Sequence, residues 1–171
     1  MKPFDFCPAC SARLGKGDDE GSKCPSCGRS WYRNSAPTAG CAIVVDGRAL
    51  ITQRAREPEK GRFDVPGGFL GPGEQVLDGL RREVQEELGV EIDVTIDDCV
   101  SMVAHTYGDE GDYVLALGFL ARLRSGEPTA ADDVAALAWI SLDDIDDVDF
   151  AWEHDRELVR KALTAVERKG S

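Results

Sequence analysis

The chain has 171 residues, of which 42% are hydrophobic and 30% charged, enough for one well-buried domain plus a small appendage but not for two full domains. Its net charge of -12 is uneven: residues 1–90 hold 13 acids and 13 bases, residues 91–171 hold 19 and 7. An acidic surface repels phosphate backbones and anionic lipid, which argues against nucleic-acid and membrane partners, and the longest apolar stretch, Val114 to Ala121, is too short to span a bilayer. The first residues, Met1 to Cys7, carry no apolar signal-peptide core. A cytoplasmic location is therefore expected, where paired cysteines serve more often as metal ligands than as disulfides.

From the N-terminus, Cys7-Pro8-Ala9-Cys10 and Cys24-Pro25-Ser26-Cys27 form two knuckles separated by 13 residues. Each presents two thiolates from a tight turn, the spacing a tetrahedral Zn²⁺ requires, so Cys7, Cys10, Cys24 and Cys27 are predicted to hold a structural zinc in a small ribbon over residues 1–36. Gly15, Gly17, Gly21 and Gly28 supply its turns. Few large apolar side chains lie here, so the segment needs such a staple to fold. Trp31 to Pro37 reads as the linker closing the ribbon.

Residues 39–54 read as a hairpin turning at Asp46-Gly47. Residues 55–62 read as a loop, Phe63 to Pro66 as a short strand running into Gly67-Gly68, and 69–73 as another loop. Val76, Leu77, Leu80, Val84 and Leu88 follow helical spacing across 74–88, with Gly89 as the stop. Gly79 inside this helix costs about 1 kcal/mol, which a close helix-to-sheet contact would explain. Strand-like runs follow at 90–96, 99–106, 113–123 and 136–140, and a final helix at 149–168. Cys41 and Cys99 read as small core residues. Asp143 to Asp147 reads as a solvated loop and helix start. The order gives an α+β or layered α/β domain over residues 37–171.

The chemistry lies in the central helix. Glu83, Glu86 and Glu87 are related by i, i+3 and i+4, so three carboxylates share one face. Charges this close repel unless a cation joins them, and oxygen-rich sites of this kind take Mg²⁺ or Mn²⁺, which bridge to phosphate oxygens. A solvated helix face explains Glu86 and Glu87 alone, but not the residues around them. From Gly68 through Glu74 to Arg82-Glu83-Val84-Gln85-Glu86-Glu87-Leu88-Gly89-Val90 the chain matches GX5EX7REUXEEXGU (U aliphatic) at all nine specified positions over 23 residues. This segment resembles the box of the Nudix hydrolases. Phe63 to Gly68 resembles the family's lead-in, and Trp139-Ile140-Ser141-Leu142 its strand end.

The resemblance implies a mixed sheet between helices, an α/β/α sandwich, and a metal-dependent hydrolase that cleaves the phosphoanhydride of a nucleoside diphosphate linked to another group. By the same resemblance Glu83, Glu86 and Glu87 coordinate Mg²⁺ or Mn²⁺, the Gly67 carbonyl adds an oxygen, Arg82 orients a box glutamate and Glu74 supports this network. Asp133, six residues before Trp139, falls where the family often supplies a further carboxylate, usually the longer Glu. Glu83 is a candidate general base. Arg54 and Arg56 are candidates for phosphate contacts, with surface salt bridges as the alternative, and Tyr107, with His105, for stacking on a base. His154 is expected to pack beside Trp152.

A four-cysteine ribbon ahead of this core resembles both NADH pyrophosphatases and enzymes acting on FAD or ADP-ribose. The Pro- and Trp-rich element of the NADH enzymes is missing from Val100 to Tyr107, and Tyr32-Arg33-Asn34-Ser35 resembles the ribbon exit of the second group. ADP-ribose or FAD is therefore the expected substrate class, with NADH or damaged nucleoside triphosphates as alternatives. A nucleotide-sensing or nucleic-acid-binding regulator is the non-enzymatic alternative, and a homodimer is compatible with the sequence.

Overall fold

The computed structural model describes residues 4–15, 21–32, 34–108 and 112–170. Gly17 of the ribbon turns and Arg33 of the ribbon exit lie outside the described residues.

The ribbon is an antiparallel pair, β1 (Gly21–Lys23) with β2 (Ser30–Tyr32). Cys7, Leu14 and Cys24 are buried together, with Ala12 and Trp31 packed on them. Trp31 and Tyr32 thus belong to the ribbon rather than to a linker. Ala36 and Pro37 already belong to the next strand, β3 (Ala36–Val45).

β3 turns into β4 (Arg48–Arg54) at Asp46-Gly47, where both residues take positive φ of 48° and 72°, as a two-residue hairpin with the right twist requires. β5 (Phe63–Asp64), β6 (Gly67–Phe69), helix α1 (Val76–Leu88), β7 (Glu91–Asp93), β8 (Cys99–Tyr107), β9 (Asp112–Ser125), β10 (Val134–Ile140) and helix α2 (Glu153–Gly170) follow. The main sheet runs β10-β4-β3-β9-β7, with β5 on β4, β6 on β3 and β8 on β9. β3 and β9 pair in parallel and the other pairs are antiparallel, so the sheet is mixed.

The period-two alternation of β3 explains the layers. Cys41 and Ile43 point to one face and pack with Leu80, Val84 and Leu88 of α1. Ala42, between them, points to the other face and packs with Leu158, Val159, Ala162 and Leu163 of α2. The result is an α/β/α sandwich. Among the described residues no helix is long and apolar enough to cross a membrane.

Three features differ from the sequence reading. α2 starts at Glu153, not 149, because the preceding backbone is committed to β5: Phe63 N donates to Asp149 O, Ala151 N donates to Phe63 O, and Phe150 bridges Phe63. Gly67 to Phe69 form a strand with Thr38 to Gly40 of β3, where a loop was expected from Phe69. The acidic run 143–147 is not simply solvated: Ile145 is buried, Asp144 accepts from the Ser141 amide and hydroxyl, and Asp146 pairs with Arg160 at 2.7 Å.

Candidate active site

Helical spacing brings Glu83 and Glu86 beside Arg82 on α1, and the loop before the helix organises them. Glu74 closes that loop by accepting from the Gly71 amide at 2.8 Å. It also receives the Arg82 fork, Nε to Oε1 at 2.8 Å and Nη2 to Oε2 at 3.1 Å. Arg82, then the Gly71 amide, hold the Glu74 carboxylate down at about 2. The remaining nitrogen of Arg82, Nη1, reaches Glu83 at 2.9 Å and Glu86 at 3.0 Å. One arginine therefore ties three box carboxylates.

Glu87 points the other way, into the protein. It is 8% exposed and accepts from the Gly67 amide at 2.9 Å. Burial, with Asp64, Asp133 and Glu83 nearby, pushes its carboxyl up to about 9. Burial also raises Glu83, against the pull of Arg82. Carboxyls lining one cavity from α1, from β5 and from the turn before β10 concentrate negative charge that a divalent cation offsets, and all the donors are oxygens, which suits Mg²⁺ or Mn²⁺. The donor chemistry suits such an ion, although among the described residues these carboxylates do not bring three ligand atoms within 4.8 Å of one another.

Two glycines make this approach feasible. Gly67 has φ 145°, and a Cβ there would strike the Ala39 carbonyl oxygen of β3. A Cβ on Gly68 would lie 2.5–2.8 Å from the carboxyl atoms of Glu83. Gly79 has a related reason. A Cβ there would meet Leu70 Cδ2 at 2.5 Å and the Glu74 carboxyl at 3.0 Å, so this glycine lets α1 approach the box loop rather than the sheet.

A cavity of about 290 Å³ opens from Glu83, Glu87, Gly67, Gly68, Asp64, Asp132 and Asp133 toward an aromatic wall. Tyr107 stacks on Trp152 with centroids 5.5 Å apart and planes at 25°, and meets Phe69 edge-on at 5.4 Å. His105 and His154 lie 4.2 Å apart at the same end. Arg54 lies over the Trp152 ring at 4.7 Å. Its fork is occupied: Nη1 bonds Asp64 at 2.7 Å, Nε bonds the Pro58 carbonyl at 2.7 Å, and Nη2 reaches the Tyr107 hydroxyl at 3.4 Å. Arg56 is exposed and pairs with Asp132 at 3.4 Å, outside the cavity lining. Glu86 is exposed on α1 beside Arg82 and is likewise outside that lining. Tyr107 lines the cavity; His154 packs near Trp152, with ring centroids 6.2 Å apart, as expected.

The sequence reading did not single out Asp64 or Asp155, and it took Trp152 only as a packing partner. Asp64 is buried under Thr52 and Arg54, both of which donate to it. An acid inside a two-residue strand was the available signal for it. Trp152 and Asp155 flank the start of α2, where acids are ordinary helix-start residues, so nothing local distinguishes them.

In the ribbon, the four sulfurs lie within 4.8 Å of one another, with Cys7 to Cys27 at 3.7 Å and Cys10 to Cys24 at 3.6 Å. Tetrahedral zinc–thiolate bonds of about 2.3 Å place sulfurs about 3.8 Å apart, so the quartet fits Zn²⁺. The Trp31 indole N–H donates to Cys7 Sγ at 3.3 Å. Against burial, this donor and the Ala9 and Cys10 amides draw Cys7 down to about 6. Against the Ala12 amide, burial and the neighbouring thiols push Cys10 up to about 11. A bound Zn²⁺ would hold all four as thiolates.

Residues 34–162 match the family model described as NUDIX domain. A putative 8-oxo-dGTP diphosphatase 2 of Mycobacterium tuberculosis is 37% identical over 126 residues, 68% of this chain and 80% of the relative. An ADP-ribose pyrophosphatase of Methanocaldococcus jannaschii is 26% identical over 125 residues, 73% of this chain and 72% of the relative. In fold, the chain is similar to a NUDIX hydrolase of Nitrosomonas europaea, with a TM-score of 0.76 at 18% identity over 96% of this chain and 93% of that one.

Proposed function

The chain belongs to the Nudix hydrolase family, enzymes that hydrolyse phosphorus-containing anhydrides of nucleotide derivatives, and on that premise we propose that it cleaves the diphosphate of a nucleoside diphosphate joined to a second group, ADP-ribose or FAD in preference to NADH. One observation carries this reading: the carboxyls of Glu83, Glu87, Asp64 and Asp133 and the rings of Tyr107 and Trp152 line a single cavity. A diphosphate has a place at one end and a flat base at the other.

Glu83, Glu86, Glu87, the Gly67 carbonyl and Asp133 are the residues that would hold Mg²⁺ or Mn²⁺, which supplies charge neutralisation at the diphosphate and acidifies water. Arg82, held by Glu74, fixes Glu83 and Glu86. Glu83 accepts the proton of the water that attacks phosphorus. The bridging P–O bond breaks, giving AMP and a second phosphorylated product. Tyr107 and Trp152 support the base. Arg54 serves substrate by setting these two rings rather than by touching phosphate, since its nitrogens are taken by Asp64 and Pro58. Arg56 reaches a phosphate only by releasing Asp132. The ribbon holds a structural zinc on Cys7, Cys10, Cys24 and Cys27, and the hydrolase domain runs from β3, which opens at Ala36.

A second reading, hydrolysis of an oxidised purine nucleoside triphosphate, is favoured by the 37% identical relative. Hydrolysis of ADP-ribose, FAD, NADH and 8-oxo-dGTP, compared at one Mg²⁺ concentration, separates the two. ADP-ribose or FAD is expected to have the highest kcat/KM. 8-oxo-dGTP as the best substrate establishes the second reading, and NADH as the best refutes both.

A further inference from the structure

Asp155 is a buried acid in the cavity that the proposed reaction does not use. It is 6% exposed and stands in the first turn of α2, three residues after Trp152. The neighbouring acids of the cavity are satisfied: half-buried Asp64 by Thr52 and Arg54, buried Glu87 by the Gly67 amide. Among the described residues the Asp155 carboxyl has a single polar contact, His154 Nε2 at 3.5 Å, longer than an ordinary hydrogen bond. A buried polar group so poorly met is costly unless a ligand completes it.

Its surroundings specify the ligand. Burial and neighbouring Asp64 favour the protonated form, with Arg54 acting the other way. A protonated carboxyl offers an O–H donor beside a carbonyl acceptor. The Tyr107–Trp152 stack gives a flat apolar wall in the same cavity. A flat ring carrying an acceptor next to a donor complements both features.

We propose that Asp155 reads the base of the substrate, its O–H donating to adenine N1 and its carbonyl oxygen accepting from the 6-amino group. This rests on the nucleotide reading above and adds the group that selects the base.

Calorimetric binding of nucleoside monophosphates tests it without turnover. The wild type is expected to bind AMP about tenfold to a hundredfold more tightly than either purine riboside 5′-monophosphate, which lacks the amino group, or 1-deaza-AMP, which lacks N1. Asp155→Leu removes that difference and leaves purine riboside 5′-monophosphate within about threefold of its wild-type affinity. Asp155→Asn, which keeps a donor beside an acceptor, retains the discrimination. Wild-type protein that binds all three ligands alike overturns the proposal, however the variants fold. So does a leucine variant that still discriminates. A preference for GMP over AMP overturns the adenine assignment and moves the site to the oxidised-purine reading. Absence of hydrolysis with the AMP pattern intact sinks the enzymatic reading and leaves this one standing.

Discussion

Replacing Gly68 with Ala isolates the position of one carboxylate from everything else. The backbone at Gly68 is not in the left-handed region, so alanine fits its conformation, but its Cβ would sit 2.5 Å from Glu83 Cδ and 2.7–2.8 Å from the two oxygens. Ordinary carbon–carbon contact begins near 3.5 Å, so the carboxyl must retreat by about 1 Å. The obstacle is the end of a flexible side chain, and Glu83 retreats toward solvent on a helix otherwise untouched. The stability change is therefore expected to stay below about 1 kcal/mol. Activity is a different matter, because a displacement of about 1 Å in a catalytic constellation costs on the order of 100-fold. Steady-state hydrolysis at saturating Mg²⁺, with calorimetric melting alongside, measures both. A Gly68→Ala enzyme within threefold of wild-type kcat and melting at the same temperature would show that the placement of Glu83 does not govern the reaction. Gly67→Ala is the contrast: its φ of 145° and the Ala39 carbonyl forbid a side chain, so that variant is expected to lose the β3–β6 pairing and melt early.

Glu87→Gln preserves the shape of a buried acid, so the metal-free protein should melt as before while kcat falls by roughly 1,000-fold or more, since a charged ligand is gone; near-normal turnover at saturating Mg²⁺ would place the metal elsewhere. Elemental analysis should find one zinc per chain, with Cys7→Ser releasing it to a chelator faster than wild type, and purified protein free of zinc would sink the ribbon assignment. Burial, then His105, holds His154 at about 4 against 6.5 for a free histidine, so the folded state resists a proton that the unfolded chain accepts. Stability should fall as pH drops from about 6.5 to about 4. His154→Gln should show a shallower fall, and equal slopes in the two proteins would refute the cause.

Local spacing wrote much of this protein into the sequence. The two CxxC knuckles brought four sulfurs within reach of one ion, the Asp46-Gly47 turn fixed the β3–β4 hairpin, and the helical pattern placed Glu83, Glu86 and Glu87 on α1, though packing turned Glu87 inward and left Glu86 exposed. These features depend on residues close in the chain, or on ligands of a defined geometry, so pattern alone records them. The tertiary structure decided where the rest of the site comes from. β3 pairs in parallel with β9, 78 positions later at Ala36 and Val114, and β8 rides on β9, carrying Tyr107 to the cavity. The β5 contact with Phe150 cuts α2 short at Glu153, which brings Trp152 against Tyr107 and turns Asp155 inward. Arg54, which in sequence is one of several exposed-looking arginines, is pinned by Asp64 and Trp152 only once β4 and β5 pair and α2 closes over them. Burial is what converts these acids from surface charges into chemistry, and burial is a property of packed layers that no run of neighbouring residues specifies.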